Sequence, residues 1–452
     1  MTRNVSEEPD RVNRSIDAVW RIESAKLIAS LVGMVRDVGV AEELAQDALV
    51  AALEQWPSAG IPERPGAWLL TIAKRRAIDR IRRNVVLERK HEELMRDAEA
   101  VVTVDFADRG DDIEDDLVRL MFIAAHPILA PEARVALTLR LLGGLTTKEI
   151  ARAFLTPEDT IAQRIVRAKR TLTEARVPFE VPQGAERVAR LTSVLAVIYL
   201  IFNEGYAASS GDDWMRPRLC EDALRLGRIL AELVPAEPEV HGLVALMELQ
   251  ASRMRARVDA RGAPILLLDQ NRARWDHVLI ARGLVALARA EHAHTTRGPY
   301  ELQAAIAAIH ARAKTSQETD WERIAALYDG LAELIPSPVV ELNRAVALGM
   351  AYGPAVGLDL VEQLHVEGSL DAYHLLFSVH GDLLFKLGRY DEACGEFERA
   401  ASLTQNRSER ALLQDRAASA RAARSTADTP SARTPSAPSN ATRSTAGIPP
   451  RT

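Results

Sequence analysis

The residues of this chain best suited to chemistry are arginines, and their spacing fits recognition rather than turnover. In TIAQRIVRAKRTL, residues 160–172, Ile161, Ile165, Ala168 and Leu172 recur at helical spacing and make one apolar stripe. Thr160, Gln163, Arg164, Arg167 and Thr171 fall on the opposite face. Such side chains suit base edges in a DNA major groove, Arg forking onto guanine and Gln onto adenine. Lys169 and Arg170 flank that face, where phosphates lie. A second basic group holds Arg64, Lys74, Arg75, Arg76, Arg80, Arg82 and Arg83, with Asp79 among them and Trp68 at its head. Its apolar stripe, Trp68, Leu69, Ile72, Ala73, Ile78 and Ile81, predicts a helix over 66–83 with a nearly all-basic outer face. A phosphate backbone meeting that face would release counterions. Trp68 either packs in the core or stacks on an unpaired base.

Catalytic and metal chemistry find no comparable set. The sequence holds no phosphate loop, zinc-ligand pattern or nucleophile–base group, so the expectation is a non-enzyme without cofactor or metal. His126 has no second His or Cys nearby and reads as a structural or capping residue. Glu204 and Asp269, each near arginines, read as buried ion pairs. Two cysteines, Cys220 and Cys394, cannot make a disulfide framework, which points to a reducing, cytoplasmic setting.

The elements that must position the two basic faces are legible. Leu44, Ala48, Leu49, Ala52, Leu53 and Trp56 recur at helical spacing, opposite Glu42, Glu43, Gln46, Asp47, Glu54 and Gln55. PSAGIPERP, residues 57–65, has the prolines and glycine of a loop. Gly143-Gly144 predicts a helix end. Thr146 with Glu149 predicts a capping box opening a short helix that ends near Phe154. Thr156, Pro157, Glu158 and Asp159 predict a Thr-capped start for the next. Two helices joined this way form a helix-turn-helix.

Charge separates the modules. Residues 64–90 hold nine basic and two acidic side chains, and residues 160–176 hold five and one. Between them, residues 92–116 hold eleven acids and two arginines. Two basic modules on an acidic tether suggest nucleic-acid binding despite a net charge of −6. The tether is expected to fold over the basic helices through Asp111, Asp112, Asp115 and Asp116 when no partner is bound.

Residues 180–424 read as helical repetition. LAELVP at 230–235 returns as LAELIP at 331–336, an offset of 101, close to three 34-residue tetratricopeptide periods. From His374 onward, Phe377, Gly381, Gly388, Tyr390, Ala393, Phe397 and Ala400 stand where such a repeat places its packing residues. The longest apolar run, VLAVIYLIF at 194–202, is too short for a membrane span and reads as a buried helix. DARG at 259–262 reads as a turn. The N-terminus lacks a signal-peptide apolar stretch. Residues 425–452, rich in Ser, Thr, Pro and Ala, read as a disordered tail.

AEELAQDALVAALEQW followed by PGAWLLTIAKRRAIDRIRR resembles the second conserved region of bacterial RNA polymerase sigma factors of the extracytoplasmic-function group. The resemblance implies that the helix over 41–56 docks on core polymerase through Glu42, Glu43, Gln46, Asp47 and Glu54. It further implies that the 57–65 loop and the following basic helix engage the melted minus-ten element. Many members have asparagine where this chain has Arg75, which leaves base preference open there. Residues 117–178, with His126-Pro127 and the LAPEAR lead-in at 129–134, resemble the fourth conserved region, which binds the minus-thirty-five element. With NEGY at 203–206 and GPYELQAAIAAIHA at 298–311, the whole is similar to a subgroup carrying a tetratricopeptide-like C-terminal extension. Many relatives have cysteines where this chain has Ala124-Ala125, so no thiol-based sensing carries over.

The expected architecture is all-α. A region-two-like domain (15–90) and an acidic linker (91–116) precede a region-four-like helix-turn-helix domain (117–178). A helical-repeat α-solenoid (179–424) and the tail (425–452) follow. The expected partners are RNA polymerase core, promoter DNA and a protein or peptide on the solenoid, with no membrane. Two alternatives are a helix-turn-helix regulator whose solenoid senses a ligand, and an enzyme fused to a DNA-binding domain.

Overall fold

The computed structural model describes residues 7–92, 113–292 and 296–427. Its first unit is α1 (Glu7–Val35), α2 (Val38–Ala59) and α3 (Pro65–Glu92). Asp37 caps α2, its carboxylate accepting from the Val40 N–H at 2.8 Å. Ala41, Ala45, Ala48 and Ala52 are buried, and their small side chains let α1 come close. α2 runs past Pro57, so the turn before α3 is shorter than the expected 57–65 loop. The bond that Pro57 cannot make belongs to the carbonyl of Leu53, on an exposed face. Gly60, at φ +85°, closes the helix onto the Trp56 carbonyl.

The second unit is α4 (Ile113–Ala124), α5 (Pro131–Leu141), α6 (Thr147–Ala153) and α7 (Glu158–Glu174). α5 ends in left-handed Gly144, with the Leu145 N–H on the Leu139 carbonyl. A Cβ on Gly144 would stand 2.9 Å from the Ser24 hydroxyl of α1, so this turn needs glycine for space as well as for φ. The Thr146–Glu149 capping box is present. The expected Thr156 cap is not: its hydroxyl turns back to the Phe154 carbonyl, and α7 starts after Pro157 without a side-chain cap. His126 is structural as expected, its Nδ1 accepting from the Ile128 N–H at 3.1 Å.

The tether is shorter than expected. Glu114, Asp115 and Asp116 belong to α4, and Asp116 is buried beside Gly33 and paired with Arg119. Asp115 also faces Arg119. These two acids therefore do not cover the basic helices. Asp111 and Asp112, with the rest of 93–112, lie outside the described residues.

The extension comprises α8 (Gly184–Tyr206), α9 (Pro217–Leu233), α10 (Pro238–Ala251), α11 (His277–His292), α12 (Pro299–Arg312), α13 (Trp321–Leu334), α14 (Pro338–Tyr352), α15 (Pro354–Glu367), α16 (His374–Lys386), α17 (Tyr390–Leu403) and α18 (Arg407–Ala427). The two sequence echoes occupy equivalent places, ending α9 and α13, each followed by a proline-started helix. In the α16–α17 hairpin a Cβ on Gly381 would lie 2.8 Å from the Phe397 ring, so this glycine permits the close approach. The VLAVIYLIF run lies in α8, mostly buried, and no helix among the described residues is long and apolar enough to cross a membrane. α18 continues to Ala427, so the first three residues of the expected tail are helical; residues 428–452 lie outside the described residues.

The end of the array returns to its beginning. Strand β1 (Ser210–Gly211) pairs in parallel with β2 (Gln405–Asn406). Asn406 is fully buried, and its amide donates to the carbonyls of Ala208 at 3.0 Å and Asp213 at 2.9 Å. Ser408 donates to the Asp212 carbonyl at 2.7 Å.

Removing the Asn406 amide strands the carbonyl of buried Ala208 and frees that of exposed Asp213, at a cost of about 1–3 kcal/mol. Asn406→Ala is expected to lower stability by that order in chemical denaturation. Faster amide exchange across 208–213 is expected with it, and unchanged exchange there would contradict this role.

Candidate nucleic-acid and polymerase interface

α7 buries Ile161, Ile165, Ala168 and Leu172 against α5 and α6, as its stripe requires. Gln163, Arg167 and Arg170 are exposed on the outer side. Thr160, Arg164 and Thr171 are half-buried and share with Gln163 and Arg167 a groove walled by Ile128, Glu132 and Ala133. Arg170 is paired with Glu174 at 2.6 Å, and that contact raises its already high pKa. Lys169 does not flank an open DNA face: it turns toward α2 and pairs with Glu42.

Arg64, just before α3, and Arg75, Asp79, Arg82 and Arg83 on it are exposed, with Lys74, Arg76 and Arg80 half-buried. Arg76 meets Asp47 at 3.1 Å and Arg80 meets Glu43 at 3.0 Å, both at the surface. Exposed pairs of this kind contribute only about 0–1 kcal/mol, so they yield readily to another partner. Trp68 is half-buried, edge-on to buried Trp56 with ring centroids 5.3 Å apart. It serves the core on one side and reaches solvent on the other.

Of the polar residues expected on the outer face of α2, Glu43, Asp47 and Glu54 are exposed and Gln46 is half-buried. Glu42 is not on that face. It is 3% exposed and accepts from Arg140 Nε and Gln46 Nε2, each at 2.6 Å, while Lys169 pairs with its second oxygen. Burial pushes this carboxyl up, but Lys169 and Arg140 outweigh burial and hold it below its ordinary value. The group ties α2 to α5 and α7 and so joins the two units. A helical signal was present: Glu42 shares a face with Ala45, Leu49 and Trp56 at i+3, i+7 and i+14. Asp37 on Thr173 at 3.0 Å and Arg21 on Glu149 add to the same clasp.

The extension is bound just as closely. Arg225 of α9 donates to the carbonyls of Arg21, Leu142 and Gly143, the last at 3.0 Å. Arg134 donates to Ser193 of α8 at 2.7 Å, and Ser193 donates to the Ala125 carbonyl. One apolar core runs without a break from Ile16 to Ala251, crossing the boundary expected near residue 178. Glu204 and Arg216 form the expected pair, though half-buried rather than buried; Asp269 is exposed, and Arg272 bonds the carbonyls of His310 and Ala313 instead.

Residues 23–85 match the family described as Sigma-70 region 2, and residues 119–172 match Sigma-70, region 4. The chain is 29% identical over 174 residues to the probable ECF RNA polymerase sigma factor SigI of Mycobacterium tuberculosis, covering 38% of this chain and 59% of that protein. It belongs to the sigma-70-like factors of the extracytoplasmic-function type. Residues 190–291 of this sigma factor match a family of unknown function, DUF6596. The factor is also 43% identical over 390 residues to the uncharacterized protein R00370 of Rhizobium meliloti, covering 86% of this chain and 91% of that protein. At that coverage the likeness takes in most of the chain, the extension included.

Glu42→Ala leaves Arg140 and Lys169 facing each other without a counter-charge. Breaking a fully buried pair costs about 3–5 kcal/mol; the loss here is expected to be smaller, because these two side chains stay about a fifth exposed. Since the native carboxyl titrates below its unfolded value, its contribution is present above the ordinary carboxylate range. It is lost as pH falls through the native value. Melts of wild type and Glu42→Gln from pH 7 downward should therefore converge in acid; parallel curves would rule this out.

Proposed function

We propose that this factor directs RNA polymerase core to promoters and starts transcription there, acting by binding throughout. α7 reads upstream duplex with Gln163, Arg164, Arg167, Thr160 and Thr171, and places Arg170 on the backbone. α3 and the turn before it engage the melted element through Arg64, Lys74, Arg75, Arg76, Arg80, Arg82 and Arg83, with Asp79 among them and the outer edge of Trp68 offered to a base. α2 docks on the core enzyme through Glu43, Gln46, Asp47 and Glu54. Glu42 and Lys169 join these surfaces only where α2 parts from α7. The observation carrying the reading is that α7 buries its stripe while Gln163 and Arg167 stay open beside a groove.

The extension, a set of tetratricopeptide-like hairpins, supports or regulates the sigma regions. Its α8 and α9 complete the core on which α4 and α5 pack, which favours a supporting role.

The test is run-off transcription with purified core polymerase, the full chain and a library of upstream regions. The full chain is required, because ending it after residue 178 would uncover a continuous core. Core-dependent initiation from a subset of promoters is expected. Arg167→Ala should weaken upstream recognition by about 1–3 kcal/mol on promoters carrying the base it reads. Duplex binding that ignores polymerase, with no transcript, would overturn the proposal.

A further inference from the structure

Two buried arginines of the extension have no anion. Arg253 and Arg257 are 9% and 7% exposed and follow the end of α10. Neither is paired with a carboxylate among the described residues. Arg257 lies 3.6 Å above the Tyr206 ring, 5.5 Å from Trp214, and gives one hydrogen bond, to the Tyr206 carbonyl. Arg253 sits between Tyr206 and Trp275, at 6.0 and 5.8 Å, and its buried Nε has no acceptor. The buried indole N–H groups of Trp214 and Trp275 also lack acceptors. A third guanidinium, Arg272, is 5.0 Å from Trp275, with its own bonds spent on carbonyls and Thr319.

Known compensations fall short of this charge. An aromatic face attracts a guanidinium by about 0.5–2 kcal/mol but offers no acceptor in the plane of its N–H groups. The C-terminal end of α10 supplies about half a negative charge, against two buried cations. Burial accordingly weakens proton affinity at Arg257, and burial with Arg253 and Arg272 drives His310 down to about 3. Buried charges are ordinarily paired and buried donors bonded. This cluster has the opposite character: among the described residues its donors are in excess and acceptors are missing.

We propose that this cluster binds a small oxyanion, a carboxylate or phosphate group of a metabolite-sized molecule. Arg253 is the fork that takes the anion, Arg257 neutralises it from the Tyr206 side, and the Trp214 and Trp275 N–H groups complete its bonds. Trp214 belongs to the segment that Asn406 pins through Asp213. That same segment touches the helix-turn-helix: a Cβ on Gly211 would stand 2.5 Å from a Leu155 methyl, and Leu155 is the left-handed residue between α6 and α7. An anion ordering Trp214 would thus bear on the turn that sets α7. This last link rests on the sigma reading above; the binding itself does not.

The experiment is titration of the full chain with inorganic phosphate, and separately with succinate, against chloride at matched ionic strength, following tryptophan fluorescence and melting temperature. A saturable response to either probe, beyond chloride, is expected; phosphate alone or succinate alone identifies the head group. Arg253→Met should abolish it while melting no lower than wild type without ligand, because it removes an uncompensated buried cation. Arg253→Lys, keeping the charge but not the fork, should weaken it at least tenfold and stands in if the first variant fails to fold. No saturable response in wild type, or one that survives in both variants, overturns the site whatever the outcome of transcription.

Discussion

A buried carboxylate must find cations, and the arrangement of the two sigma regions turns on Glu42 finding two. Arg140 comes from α5 and Lys169 from α7, so one side chain of α2 reaches two helices of the other unit. Beside that contact, α1 lies against the Gly143-Gly144 turn, and Arg21 and Asp37 reach Glu149 and Thr173. The consequence for function is direct. α2 and α7 carry the surfaces proposed above for polymerase and for upstream DNA, and they are held together by a residue of the first and a residue of the second.

The extension completes this body rather than trailing from it. α8 and α9 close the apolar core of α4 and α5, and Arg225 gathers three carbonyls from the sigma regions. The chain then travels through its hairpins and returns, through Asn406, to the segment that opened the array. That segment also meets Leu155. The helix-turn-helix therefore touches both the beginning and, at one remove, the end of the extension, which gives the far hairpins a physical route to α7.

Much of this was legible in residue order. The capping box, the glycine stop after α5, the apolar stripe of α7, the basic face of α3 and the paired LAEL-proline helix ends all stand where periodicity and caps put them. They were legible because each depends on residues three or four apart, or on one turn of backbone. Thr156 and Pro57 mark the margin of that reasoning: a cap residue and a helix breaker, both overruled by a single competing local bond or an exposed carbonyl.

By itself, then, the sequence determined an all-α chain with two basic faces, and the periods and caps that form them. Only the tertiary structure decided which of those charges are free. Helical spacing puts Lys169 beside the DNA-reading face, but α2, far away in sequence, supplies Glu42 and takes it up. Charge puts Asp116 in a tether, but α4 buries it beside Gly33. Arg253 and Arg257 carry no sequence signal distinguishing them from the chain's paired arginines. Helical spacing places a side chain on a face, but whether a charge there is paired, buried or left open depends on what arrives from the rest of the chain. That is a matter of long-range juxtaposition, on which local periodicity is silent.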